Sequence, residues 1–213
     1  MAKKTWCITL DKNDKDALKF GSFKLKSERM SPYFFNSGVF SDGKSLSIIS
    51  NLFIELIKEK NIKFTNILGP AYKGIPLAAT LSSFIAEKNG NETNFIYDRK
   101  DQKMHGEKGD IVGTFNDGKT LIIDDVITAG TAIKNTLKKL DKYNIEVDTL
   151  LVLLDRQEKG SKDISASEEI QKDFGIKVHS LISISDIIEF VARTKEFEKY
   201  KDSIITYKEK YGS

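Results

Sequence analysis

Past residue 43 the chain alternates between two hydrophobic rhythms. KSLSIISNLFIELIKEK (44–60) repeats Leu46, Ile49, Phe53, Leu56 and Ile57 at helical spacing. KFTNILG (63–69) has the character of a short strand, and IPLAATLSSFIAEKNG (75–90) reads as a helix stopped by Asn89-Gly90. TNFIYD (93–98) and KTLIID (119–124) predict strands. TAIKNTLKKLDKYN (131–144) predicts a helix with a stripe of Ile133, Leu137 and Leu140. VDTLLVLLD (147–155) is a continuous apolar strand, and a helix (166–175), a strand (176–184) and a helix (185–194) follow. Strands that alternate with helices and are apolar on both faces belong to a parallel sheet covered on both sides. The expected fold class is therefore α/β, a Rossmann-like parallel sheet flanked by helices.

The two ends depart from this rhythm. SFKLKSERMSPYFFNSG (22–38) predicts two short strands around a turn, forming a small N-terminal hood beside the sheet. From Thr194 the tail mixes charges and aromatics as an amphipathic surface helix does, and it suggests no function. No repeat or low-complexity linker divides the chain. Residues 1–213 read as one domain, with 1–42 as hood and 43–213 as the α/β core with its C-terminal helix.

Charge and composition narrow the function classes. A net charge of +3 argues against a dedicated nucleic-acid binder. Cys7 is the single cysteine, so no internal disulfide forms, which fits a reducing cytosol. The apolar stretch at 6–10 is too short for a secretory signal, and the run at 150–154 is too short to cross a bilayer. A cytoplasmic protein engaging neither membrane nor nucleic acid is expected.

The densest chemistry lies in TLIIDDVITAGTA (120–132). In open α/β sheets ligands bind beyond the carboxyl ends of strands. Thr128, Ala129, Gly130 and Thr131 place backbone N–H groups and two hydroxyls at a helix start, which suits a phosphate. There is no Walker loop, so the site brings no lysine of its own. Asp124 and Asp125 would repel a phosphate directly. They fit as acceptors for the hydroxyls of a sugar one ring away, and they could steady a cationic sugar carbon. A ribose 5-phosphate is implied. The stretch resembles the 5-phosphoribosyl 1-pyrophosphate (PRPP) motif of type I phosphoribosyltransferases, which implies that fold for the chain.

A leaving pyrophosphate needs cations aimed at it. Three segments offer them. GPAYKGIP (69–76) has Gly69 and Gly74 for a tight turn and Lys73 at a strand end. RKDQKMHGEKGD (99–110) crowds Arg99, Lys100, Lys103, His105 and Lys108 into what reads as a mobile lid that would keep water from the activated sugar. His105 either protonates pyrophosphate or donates a hydrogen bond to it. Lys26 in the hood is the third. Phe34 and Phe35 in SPYFFNSG, with Arg156 in LLDRQEKG, suggest a planar anionic base whose carboxylate meets a guanidinium.

These motifs together resemble the orotate phosphoribosyltransferase family, in that family's order and over nearly the whole chain. The resemblance implies PRPP contacts from Lys26, Tyr72, Lys73, Arg99, Lys100, Lys103 and His105. It implies a loop of Asp124, Asp125, Val126, Ile127, Thr128, Ala129, Gly130, Thr131 and Ala132 around the ribose 5-phosphate. Orotate would be placed by Phe34 and Phe35, largely through backbone groups, and by Thr128 and Arg156. Of these, Lys26, Lys73, Lys103, His105, Asp124 and Asp125 would take part in catalysis. Mg²⁺ is the expected cofactor, held mainly by PRPP and water, with Asp124 and Asp125 as the protein carboxylates nearby. A homodimer is implied, the basic loop 99–110 completing the neighbouring site. Glu28 departs from the pattern, standing where the family often has glycine. The alternatives are a phosphoribosyltransferase for another base, or a PRPP-sensing regulator that binds nucleic acid on the same fold.

Overall fold

The computed structural model describes residues 17–25, 27–90, 93–103 and 109–213, and for residues 89 and 101–103 the backbone only. A hairpin of β1 (Leu18–Lys24) and β2 (Met30–Phe35) stands beside a six-stranded sheet. The sheet contains β3 (Asn66–Gly69), β4 (Asn94–Lys103), β5 (Gly109–Val112), β6 (Thr120–Ile127), β7 (Val147–Asp155) and β8 (Lys177–Ser183). Its order is β5-β4-β3-β6-β7-β8, parallel except for β5. The helices are α1 (Gly43–Glu59), α2 (Gly74–Asn89), α3 (Thr131–Asp141), α4 (Ala166–Phe174), α5 (Ile184–Arg193) and α6 (Lys201–Tyr211).

Strand parity assigns the core to two layers. Ile67, Leu121, Ile123, Leu151 and Leu153 pack with Phe53 of α1, Leu81 of α2 and Ile187 of α5. Leu68, Ile122, Leu150 and Val152 pack with Leu137 of α3 and Ile170 of α4. Successive side chains point to opposite faces of a strand, so an apolar run such as Leu150 to Leu154 serves both layers at once.

Chain direction in this sheet locates the ligand edge. From β3 the chain crosses to β4 on one side, whereas from β6 it crosses to β7 on the other. The loops after β3 and β6 therefore diverge, and the crevice between them is the switch point where open sheets take ligands.

Three expectations are corrected. Residues 99–110 are not one loop: β4 carries Arg99, Lys100 and Lys103, and β5 returns antiparallel with Asp98 opposite Ile111 and Lys103 opposite Gly109. This hairpin end has no apolar face to bury, so its sequence lacks strand periodicity. Strand β6 runs three residues further than KTLIID suggests, so Asp125 is a strand residue as Asp124 is. The tail is also more than a surface helix, because Ile204 and Tyr207 of α6 are buried with the hood's Tyr33 and Phe35.

The hood turn explains the departure at Glu28, whose φ of 63° is left-handed. A side chain there costs about 1–2 kcal/mol that glycine avoids. An exposed ion pair with Lys24 accompanies it.

Candidate active site

The cleft between β3 and β6 is built from loops with little slack. After β3, a Cβ on Gly69 would stand 2.4 Å from the Gly74 carbonyl oxygen, and one on Gly74 would stand 2.6 Å from the Ile123 oxygen of β6. Both glycines let the turn 69–74 lie directly against β6. The Ala71–Tyr72 peptide in this turn is cis.

Asp124 and Asp125 point to opposite faces at the end of β6, Asp124 with the parity of Ile122 and Asp125 with that of Ile123. On the α2 side, Lys73 Nζ lies 3.1 Å from Asp125 Oδ2 and donates to Ser37 Oγ at 2.9 Å. Ser37 Oγ in turn donates to the same Asp125 oxygen. Ser37 sits in a 3-10 turn, Ser37–Val39, entered through the Asn36 side chain, which accepts from the Gly38 N–H. The hood, the β3 turn and β6 thus meet in one triangle. Ser37 lies within SPYFFNSG, but sequence reasoning singled out only Phe34 and Phe35 there.

Asp124 Oδ1 accepts the Asp125 N–H at 2.8 Å. Burial, then the neighbouring Asp125 charge, pushes the Asp124 carboxyl up to about 8. A carboxyl raised in the fold costs stability once pH exceeds its unfolded value, so the protein loses stability as pH rises from about 4 to about 8. Asp124→Asn keeps the amide oxygen as acceptor and removes that charge. Its melting temperature is expected to exceed wild type by a margin that is small near pH 4 and grows toward pH 8; a margin independent of pH in thermal scans would refute this.

The loop after β6 has the form of an anion seat. Gly130 has φ 75° and stands at the N-cap of α3, where no side chain caps the helix. By contrast Asp42, Ser165 and Ser183 cap α1, α4 and α5. The first N–H groups of α3, including those of Thr131 and Ala132, have no partner within the helix and carry the positive end of its dipole. Val126 and Ile127 remain paired with β7, opposite Leu154 and Asp155, so the seat proper begins at Thr128. At α2, which begins beside Lys73, no side chain caps the helix either.

The hairpin brings another pair of predicted residues together. Lys100 Nζ lies 4.4 Å from the centre of the exposed Tyr72 ring, a cation–π contact across the cleft's mouth. Arg99 and Lys100 are on β4. Lys26 and His105 lie outside the described residues, as does the side chain of Lys103.

Arg156 follows β7 at the same sheet edge, but its guanidinium is not open to solvent. It is 3% exposed, donates from Nε to Glu158 Oε1 at 2.5 Å and from Nη2 to Ser31 Oγ at 2.9 Å and Tyr207 Oη at 3.3 Å, and lies 4.1 Å from the Tyr33 ring centre. Burial opposes the Arg156 charge, but the neighbouring Tyr33, Glu158 and Tyr207 outweigh it and hold the pKa above the ordinary arginine value. Glu158 also accepts from Arg29 at 2.8 Å and from Tyr207 at 2.7 Å. Glu158 and Tyr207 escaped sequence reasoning because a buried glutamate and a tail tyrosine have no local signature. The two phenylalanines separate by parity: Phe34 is exposed beside Phe23, and Phe35 is buried against Phe40. Only their backbone and the Phe34 ring remain for a ligand.

Residues 39–182 match the family model of the phosphoribosyl transferase domain. The chain is 40% identical to orotate phosphoribosyltransferase of Klebsiella pneumoniae (strain 342) over 198 residues, 93% of each chain. It is 39% identical to that of Salmonella newport (strain SL254) over 199 residues, again 93% of each. The chain belongs to the orotate phosphoribosyltransferase family. The crystal structure of orotate phosphoribosyltransferase from Francisella tularensis superposes with a TM-score of 0.82 at 38% identity, covering 98% of this chain and all of that one. In this chain, as expected from sequence, a mostly parallel sheet carries a small N-terminal hairpin beside it. Among the described residues no helix is long and apolar enough to cross a membrane.

Proposed function

We propose that this protein transfers the 5-phosphoribosyl group of PRPP to orotate, giving orotidine 5′-monophosphate and pyrophosphate, a step of pyrimidine nucleotide synthesis. The observation that carries this reading is the meeting of Lys73 with Asp125, 3.1 Å apart, beside the uncapped start of α3. One cleft thereby holds a cation for the leaving group, acids for the ribose and an amide seat for the 5-phosphate.

The 5-phosphate is received by Thr128, Ala129, Gly130, Thr131 and Ala132, through N–H groups and hydroxyls. Asp124 and Asp125 accept the ribose hydroxyls. The bond from the sugar's first carbon to pyrophosphate breaks as the bond to a ring nitrogen of orotate forms. Positive charge grows on the sugar beside the Asp124 and Asp125 carboxyl groups, and negative charge there lowers its energy. Lys73 meets Asp125 and Ser37. The incoming diphosphate competes for that ammonium, releasing Asp125 to a hydroxyl. Tyr72, Arg99, Lys100, Lys103, His105 and Lys26 complete the leaving-group end. Orotate lies at the hood, against the Phe34 and Phe35 backbone and Thr128, with its carboxylate toward Arg156.

Asp124 and Asp125 offer oxygen donors only. Among the described residues there is no cluster of three or more His, Cys, Asp or Glu side chains suited to a metal. That set fits Mg²⁺ arriving on substrate oxygens with its waters. When bound, Mg²⁺ would neutralise charge on the departing pyrophosphate.

A homodimer belongs to the same proposal: β5 is the edge strand of the sheet, and the basic segment 99–110 that it shares with β4 would complete the neighbouring site. A cytoplasmic location belongs to the same proposal, and a single cysteine fits it. The test incubates the protein with PRPP, Mg²⁺ and a panel of bases. Loss of orotate absorbance with pyrophosphate release is expected. Consumption of a purine or uracil instead would change the base, and no reaction with any base alongside a gel shift of nucleic acid would sink the reading.

A further inference from the structure

Asp98 belongs to none of the contacts assigned above. It is 5% exposed, on β4 one residue before the basic segment of the hairpin. Its Oδ1 accepts the Ala71 N–H at 2.7 Å. Its Oδ2 accepts from Thr136 Oγ1 at 3.0 Å and from Lys139 Nζ at 3.1 Å, both on α3. The Lys139 ammonium also donates to the Arg99 carbonyl.

One buried carboxylate thus holds three segments that the reaction uses: the turn 69–74, the helix that begins at the phosphate seat, and the stalk of the basic hairpin. A carboxylate present only to pair Lys139 would have no reason to commit its second oxygen to the backbone of a ligand-bearing turn. Pro70 has no N–H, so Ala71 supplies the first amide after β3. Fixing that amide fixes where the following Tyr72 and Lys73 stand. A hydrogen bond from a backbone N–H to a buried charge is among the stronger kinds.

We propose that Asp98 is a positioning residue for the leaving-group end of the site: it sets the 69–74 turn and, through Lys139, couples that turn to the hairpin carrying Arg99 and Lys100. Asp98 touches no substrate. It acts on pyrophosphate through Lys73 and on the hairpin through Lys139. Its charge is also one of the lesser influences, after burial and Asp125, that raise the Asp124 carboxyl. The proposal rests on the reading of 69–74 as the pyrophosphate turn.

Asp98→Ala removes every contact, whereas Asp98→Asn keeps an acceptor for the Ala71 N–H and loses the ion pair. Asp98→Ala is expected to raise KM for PRPP about tenfold or more, the effect of losing a charge-assisted bond. KM for orotate should stay within about twofold, since the hood is a separate region. Asp98→Asn should fall between wild type and Asp98→Ala in KM for PRPP, because it keeps the acceptor for the Ala71 N–H and loses the ion pair with Lys139. Equal rises in both KM values, or a lowered melting temperature with PRPP KM unchanged, would overturn the proposal. If Asp98→Ala does not fold, Asp98→Asn and Thr136→Val read the same ratio of KM values, and an unchanged ratio in both overturns it. Inorganic pyrophosphate gives a readout independent of the base. It should raise the melting temperature of wild type and raise that of Asp98→Asn less; an equal rise in the two counts against Asp98. Absence of turnover in wild type would instead defeat the assigned reaction, leaving the pyrophosphate comparison to decide the role of Asp98.

Discussion

Lys73→Ala is expected to lower kcat/KM for PRPP about 100- to 1,000-fold, the loss typical of one donor aimed at developing charge. Its ammonium lies 3.1 Å from Asp125 and 2.9 Å from Ser37. The side chain is 53% exposed, so the ion pair itself adds only about 0–1 kcal/mol to stability. The hydrogen bond from Ser37 to Asp125 survives the substitution. The fold should therefore be nearly unaffected, and the damage should appear in kinetics. Initial rates with PRPP varied, alongside a thermal melt, check this. A loss below about tenfold would remove Lys73 from leaving-group stabilisation.

Arg156→Ala should act on both stability and substrate choice. Its guanidinium is 3% exposed and its partner Glu158 is 1% exposed. Removing one member of a buried pair leaves the other under-compensated and costs about 3–5 kcal/mol. Arg29 and the Tyr207 hydroxyl still reach Glu158, which places the expected loss near the lower end of that range. KM for orotate should rise about 100-fold, as expected when a buried hydrogen-bonded charge pair is truncated. PRPP should be affected far less. Arg156→Lys would keep the charge without the planar fork and should restore stability better than orotate use. Chemical denaturation and separate KM values decide the matter. A stability loss with equal changes for both substrates would make Arg156 a structural member of the hood and α6 cluster, with no carboxylate to meet.

The site was legible wherever chemistry and backbone need share a short stretch. T-A-G-T after an apolar strand announces a helix start open to an anion, because Gly130 alone accommodates the left-handed entry without cost and no side chain blocks the amides. Gly69 and Gly74 were readable as a tight turn, and the structure supplies the reason, contact with the Ile123 carbonyl and with each other. Less of the hairpin could be read. Arg99 to Lys103 end strand β4 without apolar alternation in the sequence, and pairing with β5 at Asp98 and Lys103 is what the periodicity does not record.

What the sequence by itself determined is the alternation of strands and helices, the double-sided burial of the sheet and the identity of the motif residues. These follow from local periodicity, which records the face each side chain turns toward apolar surroundings. Only the tertiary structure decided that β3 lies next to β6, bringing Lys73 to Asp125. It alone decided that Asp98 reaches Ala71, and that Tyr207 of the last helix meets Glu158 and Arg156. Strand order and long-range carboxylate contacts depend on how whole elements pack, and a polar residue committed to a distant partner looks, in its own neighbourhood, like one facing water.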